Sequence, residues 1–220
     1  MGTITLERLT NLFWLGRYIE RVYQSSRHFS EIYDHLIDDD EYYYEEFCRN
    51  FGLVGRYASS EEYVADFFNP ENPHSIVANL DRAFDNGLVM RDEISSEALS
   101  YIHLAMAVTR RLSGSEAPVR DLQRVGDCIL AFWGCLDDQC DSEETRSAVK
   151  AGKRIERLDL FVRFRRPKEE LQSEVRRLMS RIQTSGMPYN RRAMMYTAAM
   201  VEEDEIDYEA LIAMVMKIFE

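Results

Sequence analysis

Residues 15–29 read LGRYIERVYQSSRHF, and residues 151–164 read AGKRIERLDLFVRF. Both stretches spell glycine, a basic residue, any residue, isoleucine, glutamate and arginine, with a second arginine after five intervening residues. The first copy is Gly16, Arg17, Ile19, Glu20, Arg21 and Arg27. The second is Gly152, Lys153, Ile155, Glu156, Arg157 and Arg163. At about 100° per residue on a helix, Gly16, Glu20 and Arg27 fall within roughly 60° of one another, on the face that also carries Leu9 and Phe13, while Arg21 points elsewhere. A carboxylate and a guanidinium therefore ride on an apolar stripe, and they do so twice. The pattern predicts a helical protein with a polar centre inside it.

The rest of the chain reads the same way. Leu6, Leu9, Phe13, Ile19, Val22, Phe29, Ile32 and Leu36 recur at helical spacing and predict one long helix over 4–37. Asp38-Asp39-Asp40 ends it, and an aromatic helix is expected over 41–51. Ser59-Ser60-Glu61-Glu62 reads as a capping box that opens a short helix. A second long helix is expected over 75–112, past Gly87 and up to Ser113-Gly114. Pro118 opens another. Asp141-Ser142-Glu143-Glu144 caps the helix that holds the second motif, and Pro167 starts the next. Shorter helices are expected near 189–201 and 207–219. No segment alternates as a strand does. The expected fold is all-α: a bundle of about seven to nine helices with two long ones and an internal repeat of the Glu-Arg motif, in one domain over 1–220.

Composition narrows the function. The net charge is −12, yet residues 150–192 carry a local +8 and the remainder −20. Global acidity speaks against a general nucleic-acid binder. The basic stretch is either a solvated set of helix faces or a surface for an anionic partner. No apolar run approaches the length of about 18 residues that a membrane span needs, and no secretory leader is evident, so a cytoplasmic protein is expected. Cys48, Cys128, Cys135 and Cys140 form no CxxC pair, which favours free thiols over a zinc site. A di-metal bundle needs paired Glu-x-x-His motifs, and His28, His35, His74 and His103 supply none. Nucleotide loops and the serine-hydrolase elbow are missing as well, so neither metal nor cofactor is expected. Met194, Met195, Met200, Met214 and Met216 read as core filler or as an adaptable docking surface.

Two groups of residues remain as candidates. Glu20, Arg21, Arg27, Glu156, Arg157 and Arg163 either line a pocket for a polar ligand or form buried ion pairs that fix helix register. Gly16 and Gly152 fit both readings, because a missing side chain lets a neighbouring helix approach. Arg91, Glu93 and Glu97 make a second group. Glu93 and Glu97 lie at i, i+4 and call for a cation between them, with Arg21 or Arg157 as the expected partner; otherwise they form a solvated acidic face.

The stretch from Phe13 to Arg21, the sequence Asn72, Pro73, Ser75 and Ile76, the run Arg91, Asp92, Ile94, Ser95 and Glu97, and Gly152, Ile155, Glu156, Arg157 and Asp159 together resemble the bacterial Alpha-E domain family. The chain departs from that family in being shorter than usual, in carrying Ala98-Leu99 where an aromatic is typical, and in reading Asp81 to Gly87 where the family is rich in Ala-Arg-Glu-Asn. The resemblance implies an all-helical fold. It also implies genomic company with ATP-grasp proteins and with transglutaminase-like and proteasome-like peptidases. The expected function is thus an accessory or partner of an ATP-grasp amide or peptide ligase. An enzyme using the same carboxylates on amide or amino-acid-like substrates is the first alternative, and an oligomeric scaffold is the second.

Overall fold

The computed structural model describes residues 4–37, 49, 60–112 and 118–220. Apart from residue 49, which is helical, the helix expected over 41–51 lies outside the described residues, as do the thiol Cys48 and the Ser59 and Ser113-Gly114 boundaries. No strand occurs among those described. The helices are α1 Leu6–Ile37, α2 Ser60–Phe67, α3 Ile76–Val89, α4 Arg91–Ile94, α5 Ser96–Thr109, α6 Pro118–Gln139, α7 Glu143–Arg163, α8 Lys168–Ser185, α9 Arg191–Met200 and α10 Tyr208–Met216, followed by a 3-10 turn over Lys217–Phe219.

Local chemistry sets the ends of these helices. Ser75, Ser142, Asn190 and Asp207 each accept a hydrogen bond from the backbone N–H three residues on, at the starts of α3, α7, α9 and α10. Glu143 and Glu144 add negative charge to the first turn of α7, where the helix dipole favours it. Gly186 closes α8 with φ 67°, a left-handed conformation that glycine adopts without a Cβ clash.

The second long helix expected over 75–112 is broken into three. α3 ends at Met90, α4 is a single turn, and Ser95 turns out of the helical region with φ 77°. Its hydroxyl then accepts from the Ala98 N–H and caps α5. This break lets α5 fold back on α3, where the Leu99 and Ile102 side chains close over the bare Cα of Gly87. An apolar stripe continues through the sequence here, so periodicity alone hides the turn.

The two motif-bearing helices, α1 and α7, pack on each other at the centre. α3 and α6 cover other faces of α1, while α8 and α10 cover α7, and α5 lies on α6. Leu12, Leu15, Ile19, Val22, Phe29 and Ile32 from α1 meet Val149, Ile155, Leu158 and Val162 from α7 within one continuous apolar core.

Candidate functional site

Glycine brings the two central helices together. A Cβ on Gly16 would stand 1.9 Å from the carbonyl oxygen of Val149, and a Cβ on Gly152 would stand 1.9 Å from the carbonyl oxygen of Phe13. Phe13 precedes Gly16 by three residues, as Val149 precedes Gly152. Each repeat thus presses its glycine against the same backbone atom of the other repeat, about an approximate two-fold axis. The pairing carries on down the seam. Arg157 bonds Glu20 across a sequence separation of 137, and Arg21 bonds Glu156 across 135. His28 stacks on Phe164 further along, with ring centroids 3.4 Å apart. A near-constant offset means that α1 and α7 run parallel.

One turn beyond the glycines, the motif residues change partners between copies. Arg21 Nε donates to Glu156 Oε1 at 2.5 Å and Arg21 Nη2 to Oε2 at 3.1 Å. Arg157 Nε donates to Glu20 Oε1 at 2.6 Å. Each copy's glutamate therefore holds the other copy's arginine. Both carboxylates are buried, with relative exposures of 0% for Glu20 and 1% for Glu156. Burial pushes the Glu156 carboxyl up, but the Arg21 and Arg17 guanidinia outweigh it and hold the group below the ordinary carboxylate value.

The two halves differ at one motif position. In the first copy Arg17 follows the glycine, and its Nε donates to Glu156 Oε2 at 2.8 Å, so both oxygens of Glu156 are satisfied. The second copy has Lys153 there. Its ammonium lies over the Trp133 ring, 3.9 Å from the centroid. Glu20 Oε1 also accepts from Gln24 Nε2 at 2.6 Å, but Glu20 Oε2 has no hydrogen-bond partner among the described residues. Burial brings Lys153 down to about 8; the Glu20 charge opposes that shift, while Arg157, Arg154 and Lys150 reinforce it.

A third buried carboxylate, Glu174 on α8, extends the network. It accepts from Arg154 at 3.2 and 3.0 Å and from Arg177 at 2.7 Å, and Arg157 reaches it at 3.8 Å. The repeat does not contain Glu174, but the sequence carries a signal for it: a lone carboxylate on the stripe Leu171, Val175, Leu178 and Ile182. Gln24, one turn after Glu20, was legible in the same way.

The structure brings together Glu20, Arg21, Glu156 and Arg157, with Gly16 and Gly152 at the contact between the helices. It does not bring in the others. Arg21, read as pointing away from the seam, reaches Glu156 because the glycines draw the helices within range of a long side chain. Arg27 shares the angular face of Glu20, yet its guanidinium is exposed at the edge between α1 and α6. Arg163 turns back along its own helix to Asp159, 3.1 Å away. Arg91 is exposed and lies nearest Asp92. Glu93 and Glu97 do not share a helix face, since the break at Ser95 separates them. Glu93 pairs with Arg8 of α1 at 2.5 Å, and Glu97 accepts from Gln139. Neither meets Arg21 or Arg157. Among the described residues no His, Cys, Asp and Glu group has the arrangement of a metal site. Among the described residues no helix is long and apolar enough to cross a membrane.

These features define an all-helical protein organised around glutamate–arginine exchange between two parallel helices. The chain belongs to the Alpha-E family, described as a predicted alpha-helical domain with a conserved ER motif, which matches residues 8–201. No curated protein and no solved structure matches the chain.

Proposed function

We propose that this is a helical accessory protein of an ATP-grasp amide or peptide ligase, in which the Glu-Arg centre is a clasp that sets the register of α1 on α7. The observation that carries the reading is the crosswise exchange of charges between the copies. Glu156 has no oxygen to spare and is held ionised by two guanidinia, so it is a poor general base. A buried carboxylate matched in this way fixes one geometry among several, which is the best-attested use of such pairs. The ligase partner comes from the genomic company that the family resemblance implies. It is tested by mixing the chain with the ATP-grasp protein encoded beside it and following ATP-dependent amide formation. A rate that rises with added chain, together with a complex seen by light scattering, is expected. An unchanged rate, no complex, or no such neighbouring gene would sink the proposal.

The enzyme reading has one observation of its own. Burial brings Lys153 down to about 8 beside Glu20, and one oxygen of Glu20 carries no hydrogen bond among the described residues. That reading requires Lys153→Met to fold normally and to abolish an activity on an amide or amino-acid-like substrate. The clasp reading requires ligase stimulation to survive Lys153→Met.

A further inference from the structure

The two copies differ a second time at the last arginine of the motif. Arg163 is neutralised by Asp159, the residue four before it. The equivalent residue four before Arg27 is Tyr23, which carries no charge. Among the described residues Arg27 makes no ion pair, and it faces a groove of about 310 Å³ between α1 and α6. Asp127 on α6 lines the same groove and is likewise exposed and without an ion pair among the described residues. A cation and an anion thus share one concave surface without neutralising each other. Leu130, about half exposed, supplies apolar area in the same groove, and Tyr23 and Gln123 offer polar groups.

We infer that this groove binds a small zwitterion, a free amino acid or dipeptide, with its carboxylate on Arg27 and its ammonium on Asp127. Arginine suits forked recognition of a carboxylate, and a carboxylate suits an ammonium. The volume lies at the small end of ligand pockets, which matches one or two residues rather than a long peptide. The inference takes its substrate class from the ligase reading above, but the site is independent of the clasp. An amide-forming partner would use such a groove to receive or select the amino component.

Calorimetry and amide-resolved NMR titration of the full chain with L-alanine, L-alanyl-L-alanine and the same dipeptide acetylated at its amine and amidated at its carboxyl test it. Saturable binding of alanine or of the free dipeptide is expected, with shifts at Arg27, Gln123 and Asp127. Arg27→Gln and Asp127→Asn are each expected to weaken it about tenfold or more, since each removes a charge-assisted contact. The capped dipeptide is expected to lose at least as much. Both residues are exposed, so thermal melts of the two variants should overlay the parent and keep folding out of the comparison. Absence of binding at millimolar ligand, equal binding of the capped dipeptide, or affinity unmoved by either substitution overturns the inference. Because binding is read on the chain alone, its failure leaves the ligase-stimulation result standing, and the reverse also holds.

Discussion

Glu156→Ala removes a side chain that accepts three N–H bonds, from Arg21 Nε at 2.5 Å, Arg17 Nε at 2.8 Å and Arg21 Nη2 at 3.1 Å. Breaking one side of a buried ion pair costs about 3–5 kcal/mol, because the remaining charge is left without its partner. Here the orphans are two guanidinia whose side chains are 20% and 26% exposed, so water can reach part of each. That places the loss near the low end, about 3 kcal/mol. For a chain of this size the midpoint of thermal unfolding should fall by about 6–12 °C. The companion variant Arg17→Met, Arg21→Met, Glu156→Met removes the orphaned charges along with the carboxylate and should recover at least half of the loss. Circular-dichroism melts at pH 7 decide the matter. A Glu156→Ala melt within about 2 °C of the parent would refute the clasp, as would a triple variant that melts below the single one. The acid limb gives a second check. The folded value of Glu156 lies below its ordinary 4.5, so its stabilisation is complete above that pH and is lost as pH falls through the folded value. The thermal midpoint of Glu156→Gln should therefore fall less between pH 5 and pH 3 than that of the parent.

Lys153→Arg should raise the melting temperature, by about 1 kcal/mol of stability, if arginine supplies Glu20 Oε2 with the bond that Arg17 gives Glu156. A lower melt would show that the ammonium over Trp133 is the better arrangement. Lys153 also has a basic limb to its stability. Its folded value of about 8 lies below the unfolded 10.5, so the cost of burying its charge is present below pH 8 and fades as pH rises toward 10.5. Denaturant melts should show the parent gaining on Lys153→Met between pH 8 and pH 10, and parallel curves would contradict the burial. Gly16→Ala and Gly152→Ala each place a methyl 1.9 Å from a backbone oxygen. Each should cost on the order of 3 kcal/mol or more by forcing α1 and α7 apart, read as loss of cooperative unfolding.

Helix type was legible because apolar spacing and caps agree along most of the chain, as at Ser142. The breaks at Met90 and Ser95 were not legible, since the residues around them continue the apolar stripe while the backbone leaves the helical region at both. The central glutamates could be read from their place on that stripe. Their partners could not. Angular position on one helix says nothing about how near the next helix comes, and it is the glycines that bring Arg21 within reach. The same projection placed Arg27 inside, although a long stem at a helix edge carries its charge out to solvent. Glu174 escaped a reading built on the repeat because the second half of its environment comes from α8, which no repeat marks.

The crosswise pairing also has a consequence in time. Arg21 and Glu156 are separated by 135 residues, so during synthesis the first motif is made long before its counterpart. At about 5–20 residues per second, α1 waits roughly 7–27 seconds with a bare glycine seam and an acid–base pair that nothing yet answers. The nascent protein should thus stay open, protease-sensitive and sticky until α7 leaves the ribosome, and then close abruptly around a seam that needs both halves at once.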